Sequence, residues 1–280
     1  MFVFVLLTST FITPYKPKIN TLEVYIKHLP ASFDNYNLIQ ISDAHLGARL
    51  YDKAYFEHIT TLINDRNPDL IVFTGDMINN FAEEMIGFDS IFNALQAQDG
   101  KFAVLGNHDY GDYSNWPDTI SKVQNLKKIK DGFRKFGFQL LLNQHVHINR
   151  NNDSIALIGV ENYHVKQHQN YANYTKAIEG ISATSISLLL NHNPLYWPIL
   201  DSSTVKPALT LSGHTHAGQF GLTFGNKVYS PVGIIYPEYN GLYVSDGYQL
   251  YVNRGIGFIG LPFIVGLKPE ITQIILKRAL

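Results

Sequence analysis

The chain has 280 residues, 45% of them apolar and 13% aromatic, enough to bury a substantial core without staples. Its 22 Lys+Arg against 23 Asp+Glu give a formal net charge of −1, so no global field recruits nucleic acid, and no nucleic-acid partner is expected. The absence of cysteine removes disulfides, thiolate metal sites and cysteine nucleophiles, so any metal must be held by nitrogen and oxygen.

The chain opens on MFVFVLLTSTFIT, Met1 to Thr13, which is too short for a bilayer span of ~20 residues and lacks a basic n-region. It reads either as a clipped membrane anchor or as an extra strand or plug, so residues 1–20 are set apart from a single domain over 21–280. From Asn37 onward, NLIQIS (37–42), DLIVFT (69–74) and KFAVLG (101–106) are short apolar runs, each ending at Asp, Gly or Asn. They read as buried strands closing on polar loops. Between them, 52–67 and 83–98 carry apolar residues at helical spacing (Phe56, Ile59, Leu62 and Ile63; then Ile86, Ile91 and Leu95), predicting two successive βα crossovers. A helix-capable stretch follows over 115–136. FQLLLN (138–143), HVHIN (145–149) and SIALIGV (154–160) then predict adjacent strands that open a second sheet. SISLLLNHNP (185–194) and PALTLSGHTH (207–216) repeat the pattern of a strand ending in histidines. The apolar run Gly255 to Leu267 is broken by glycines and Pro262 and reads as a loop with an exposed or interfacial apolar surface. The fold class expected is α/β.

Five strand ends deliver the chemistry-bearing residues: Asp43 and His45 in SDAHLG, Asp76 in TGDM, Asn107 and His108 in GNHD, His192 in NHNP, and His214 and His216 in GHTH. In sheets with parallel strands, ligands gather beyond the carboxyl ends, so these groups should converge. Asp43 and His45 lie on one side of an extended segment, as do His214 and His216, because alternate side chains share a face, so one short motif can chelate. Imidazole with carboxylate and amide oxygen suits manganese first, with iron, zinc and magnesium as alternatives, better than copper. Two cations ~3.5–4 Å apart activate a bridging water and stabilise the entering and leaving oxygens of a displacement at phosphorus. Asp76, alone at its strand end in the middle of the ligand order, is the natural bridging carboxylate.

In order, DxH, GD, GNHD, a lone His and GHTH over roughly 37–220 resemble the signature of the calcineurin-like metallophosphoesterase superfamily. Singly each group is weak; jointly they are specific. The resemblance implies a four-layer αββα sandwich of two mixed β-sheets flanked by helices. It implies two divalent metal ions, the first held by Asp43, His45, Asp76 and His216, the second by Asp76, Asn107, His192 and His214. His108 resembles the family's substrate-contacting histidine, a proton donor to the leaving group, with Asp109 as the neighbour that orients and charges it. GHTHAGQ followed by NRGIG and a PEI strand is similar to bacterial envelope-associated phosphodiesterases related to UDP-2,3-diacylglucosamine pyrophosphatases. Asn253 stands where Ser is usual there, Ala44 where Leu is, and GVEN (159–162) where GxDD is common. This narrower likeness implies a phosphoester or pyrophosphate substrate, lipid-linked or a nucleotide sugar. With this likeness, the many apolar residues of 255–267 read as accepting an acyl chain or a bilayer, with a core-filling loop under the site as the alternative. Peripheral membrane contact through 255–267 and the N-terminus is expected, with a cytoplasmic location as the alternative.

Arg254, between strand and glycine turn, is a candidate for gripping a phosphate in bidentate fashion, with a structural ion pair as the alternative. His58, His145, His147, His164 and His168 lack a comparable context and are assigned to surface or core packing. Tyr110, Tyr113 and Trp116 follow GNHD and either rim the pocket or close a minicore. Competing functions are a monoesterase, protein phosphatase, cyclic-nucleotide phosphodiesterase or nuclease on the same fold, and a non-hydrolytic scaffold. The full set of seven donors argues against the scaffold.

Overall fold

The computed structural model describes residues 16–48, 53–165, 169–225, 227–260 and 263–279. Met1 to Thr13, His168, Leu261 and Pro262 lie outside them. The first sheet contains β1 (Lys18–Lys27), β2 (Tyr36–Ile41), β3 (Leu70–Phe73), β4 (Lys101–Ala103), β5 (Gln139–Leu140) and β14 (Glu270–Ala279), in the order β1-β14-β2-β3-β4-β5. Strands β2 to β5 run parallel, whereas β14 is antiparallel to β2. The second sheet has the order β12-β13-β9-β8-β7-β6, from β6 (Gln144–Arg150), β7 (Asp153–Gly159), β8 (Ser187–Leu190), β9 (Leu209–Ser212), β12 (Gly241–Ser245) and β13 (Tyr248–Val252). A separate two-stranded hairpin joins β10 (Leu222–Phe224) to β11 (Lys227–Tyr229).

Period-two alternation explains the layering. Along β3, Leu70 and Val72 enter the apolar layer between the sheets, with Leu188, Leu190, Leu209 and Leu211 facing them. Ile71 and Phe73 point the other way, under α1 (Lys53–Asn64), α2 (Asp89–Asn93) and α3 (Thr119–Lys135), where they meet Phe56, Phe92 and Phe133. The outer face of the second sheet packs Ile158 and Leu189 under α4 (Tyr174–Ala177) and the 3-10 stretch Pro194–Ser202, through Tyr174, Tyr196 and Leu200. Two mixed sheets flanked by helices thus form the four layers expected.

Three expectations need correction. The helix expected over 83–98 is a 3-10 turn at Ala82–Met85 followed by the five-residue α2, because Gly87, at φ 84°, turns the backbone out of the helical region. FQLLLN contributes only two strand residues, and they extend the first sheet beside β4 instead of opening the second. Among its described residues the loop 255–267 is mainly core: Ile256, Phe258, Ile264 and Leu267 are buried under the first sheet, and Ile259, Phe263 and Val265 are half-buried. In addition, β1 begins at Lys18, where its N–H donates to the Pro269 carbonyl. The HVH segment lies in a hairpin of β6 with β7, and His145 Nδ1 bonds the Ala177 carbonyl.

Beneath the strand ends, Gln40 Nε2 donates to Thr74 Oγ1 of its own sheet at 3.0 Å and to the Ser212 carbonyl of the other at 2.9 Å. This buried bridge ties the sheets together where the five polar loops emerge.

Candidate metal centre

The five loops following β2, β3, β4, β8 and β9 bring all seven predicted donors to one end of the molecule. Asp43, His45 and His216 place one ligand atom each within 4.8 Å of one another, and Asp76, His192 and His214 form a second such group. Asp76 Oδ2 faces both groups, 3.2 Å from His192 Nε2 and 3.9 Å from His45 Nε2. Asn107 Oδ1 lies 3.0 Å from His192 Nε2, beside the second group.

The local backbone accounts for this convergence. Asp43, His45, Asp76, His214 and His216 have φ between 47° and 73°, a left-handed conformation that costs a non-glycine residue about 1–3 kcal/mol. Glycine would relieve it but carries no donor. The extended geometry expected of DxH is therefore absent: Asp43 and His45 meet because the chain curls back. In GHTH the same curl sends His214 and His216 to different groups, so that motif does not chelate one ion as strand alternation suggested. Close loop approach also requires glycines. A Cβ at Gly106 would stand 2.2 Å from Asp76 Oδ1, and one at Gly213 would stand 2.3 Å from Asp43 Oδ2.

Hydrogen bonds outside the groups set the tautomer of His192 and His45. His192 Nδ1 lies 2.7 Å from the Thr74 carbonyl, which only accepts, so Nδ1 carries the proton and Nε2 is bare. His45 Nδ1 lies 3.0 Å from Asn79 Oδ1, again leaving Nε2 bare. His214 Nε2 is 2.8 Å from the Tyr236 hydroxyl, a partner that can donate or accept, so Nδ1 is the ring nitrogen turned to the cluster. His45 Nε2 and His216 Nε2 then face each other at 3.1 Å, and His192 Nε2 and His214 Nδ1 at 3.2 Å. Lone pairs crowded against carboxylates need a cation between them, and this donor set fits two divalent ions.

Burial and the charges within the cluster shift these groups in opposite directions. Burial lowers His45 to about 4 and His214 to about 3, and it holds His216 well below its usual value. Burial also opposes charge on His192, but Asp76 beside it raises that imidazole to about 9. Against the same burial, His192 and His108 hold Asp76 well below the carboxylate range. Asp43 is pushed up to about 7 by burial, with His192 acting against the rise.

His108 is partly exposed above the groups, its ring 5.0 Å from that of His45. Its Nδ1 donates to the Asn79 carbonyl at 2.8 Å, leaving Nε2 without a hydrogen-bond partner among the described residues. Tyr113 stacks on this ring at 4.7 Å and accepts from Asn107 Nδ2. Asp109 does not orient His108, contrary to expectation. Its buried carboxylate accepts from the backbone N–H groups of Asp76, Met77, Ile78 and Gly106, so it fastens the loops after β3 and β4 to each other. Burial and the neighbouring Asp76 push Asp109 up to about 8, while the N–H donors act in the opposite direction. Of the two roles weighed for Arg254, ion pairing is the one the geometry provides. Its Nε lies 3.1 Å from buried Glu270 Oε2, and one terminal nitrogen donates to Asn240 Oδ1 at 2.8 Å.

Sequence reasoning missed Asn79 and Tyr236. Asn79 follows Asp76 by three residues in GDMINN and had a readable position in the polar loop. Tyr236 had no local signal, because it reaches His214 from a turn 22 residues later.

Two donor groups with Asp76 between them, at the carboxyl ends of strands in two facing mixed sheets, form a candidate dinuclear metal site. The chain belongs to the calcineurin-like phosphoesterase family, which it matches over residues 36–218. It is 33% identical to the metallophosphoesterase YkuE of Bacillus subtilis over 92% of this chain and 86% of that one. It is 28% identical to the transmembrane protein with metallophosphoesterase domain of Danio rerio, covering 94% of this chain but only 58% of that protein's length.

Proposed function

We propose that this chain hydrolyses phosphodiester or pyrophosphate bonds, on a lipid-linked or nucleotide-sugar substrate such as UDP-2,3-diacylglucosamine. The observation that carries the hydrolytic reading is Asp76 Oδ2, poised between the two groups of donors. Asp43, His45, Asp76 and His216 would hold one ion, and Asp76, Asn107, His192 and His214 the other, with manganese the first metal to test. Such a pair, when bound, lowers the pKa of water and offsets charge on the phosphoryl oxygens.

The protein's own part is orientation and proton transfer. Asn79 fixes the rings of His45 and His108 together, and His108, when its ring carries protons on both nitrogens, can give the Nε2 proton to the leaving oxygen. The diester and lipid-linked preference rests on the likeness of GHTHAGQ, NRGIG and the PEI strand, and it is supported by the membrane-protein name of the Danio rerio relative. Peripheral membrane contact belongs to the same reading.

The test is turnover of bis-p-nitrophenyl phosphate and of the p-nitrophenyl monoester by metal-stripped protein titrated with Mn(II). Metal-dependent diester turnover that Asp76→Asn abolishes supports the reading, and UDP-linked acyl-glucosamine becomes the next substrate. Turnover of the monoester alone makes the chain a monoesterase. No turnover with two ions bound per folded chain overturns the general phosphodiesterase reading.

A further inference from the structure

The hairpin β10–β11 is a sheet of two strands with little to cover it. All three β10 residues are exposed. Pairing of Leu222 with Tyr229 and of Phe224 with Lys227 puts these four side chains on one face. Val228, on the opposite face, packs toward the core, where the Tyr239 hydroxyl donates to its carbonyl. Phe220 precedes the hairpin, and Ile234 and Ile235 follow it on a 3-10 turn. Phe224 is 67% exposed, Ile235 68% and Ile234 89%. An isolated hairpin is marginal in water, and protruding apolar groups of this size on loop tips mark an interaction surface.

Three observations identify what the surface meets. First, between His216 and Pro237 there is no acidic residue, and the single charged side chain is Lys227; the adjoining loop 255–269 has Lys268 and no acid. An apolar face with Lys227 and Lys268 beside it is complementary to an anionic lipid surface, with Glu238, just past Pro237, the nearest acid along the chain. Second, the chain enters the fold on this side. Lys18 N–H bonds Pro269, two residues after Leu267, and a Cβ on Gly221 would touch Leu267 at 3.2 Å. The apolar sequence Met1 to Thr13 therefore precedes a strand that starts beside the hairpin. Third, the surface adjoins the metal centre, because Tyr236, next to Ile235, bonds His214.

We propose that the hairpin face and the Ile234–Ile235 turn insert into the interfacial layer of an anionic membrane, setting the mouth of the metal centre against the lipid headgroups. This deepens the lipid-linked reading of the site by naming the surface through which the substrate's own membrane is met. It also relocates the contact from 255–267, whose apolar side chains are mostly consumed by the core.

The test uses the full chain and vesicles of phosphatidylglycerol with phosphatidylcholine, against phosphatidylcholine alone. Binding is read by co-sedimentation, with Mn(II)-dependent turnover of the soluble diester measured in parallel. Phe224→Ser with Ile234→Ser should lower partition into the anionic vesicles by about tenfold or more and leave soluble turnover unchanged. Because the chain has no cysteine, Ile234→Cys gives a unique attachment point for an environment-sensitive fluorophore. Its emission should shift to the blue on anionic vesicles. The same probe at Asn152→Cys, in the exposed turn between β6 and β7 at the other ends of the strands, should not shift. Unchanged partition of the double variant, an unshifted probe at position 234, or loss of a solution dimer as the variant's main effect would each overturn the proposal. Failure of soluble turnover in every protein bears on the hydrolase reading instead and leaves the vesicle result standing.

Discussion

Asn79 serves two histidines at once, its side-chain oxygen on His45 Nδ1 and its carbonyl on His108 Nδ1. Partners that orient a ligating imidazole typically matter by ~10–100-fold in metal affinity or activity. Asn79→Ala should therefore lower Mn(II) affinity by roughly that factor, read by titration of metal-stripped protein, because His45 loses its orienting bond while the backbone bond to His108 stays. His108→Ala should behave in the opposite way. Removing a general acid costs ~10²–10⁴-fold in turnover, whereas metal content should stay at the wild-type level. A parallel fall in metal content and rate would show that His108 acts as a structural part of the metal centre. Both residues sit within the loops after β3 and β4, yet only His108 stood out in sequence. GNHD is a recognisable string, while the role of Asn79 depends on where its loop folds back.

At the scale of elements, the loops after β3 and β4 are joined by Asp109, which gathers backbone N–H groups from Asp76, Met77, Ile78 and Gly106. Asp109→Ala would leave buried donors unpaired at a cost of about 1–3 kcal/mol each. A marked loss of melting temperature, together with metal occupancy, is expected from calorimetry and metal analysis. A variant with normal stability and only a slowed rate would return Asp109 to a catalytic role. Gly106→Ala tests the same junction from the other side. Its Cβ would meet Asp76 Oδ1 at 2.2 Å, so overpacking of about 1–3 kcal/mol is expected, with weakened metal binding.

Across the whole molecule, the metal centre lies at the junction of the two sheets and draws donors from both: Asp43, Asp76 and Asn107 from loops of the first, His192, His214 and His216 from loops of the second. Ions bound there would hold the sheets together, so chelation should destabilise the entire fold. A thousandfold excess of metal over its dissociation constant is worth ~4 kcal/mol by linkage. The melting temperature should therefore rise with Mn(II) concentration and fall on adding chelator; a melting temperature indifferent to both would mean the ions do not join the sheets. The sequence alone determined the strand–helix alternation, the seven donors and their order, because apolar periodicity and short polar strings are local properties of the chain. The helical spacing of Ile86, Ile91 and Leu95 pointed to one helix, and the turn at Gly87 emerged only in the fold. What only the tertiary structure decided is which donors meet. Left-handed turns at Asp43, His45, Asp76, His214 and His216 separate the two histidines of GHTH and unite residues from opposite sheets. The same packing consumes the apolar loop 255–267 as core and leaves the hairpin β10–β11 exposed. Burial is a property of what covers a segment, and no segment carries that in its own sequence.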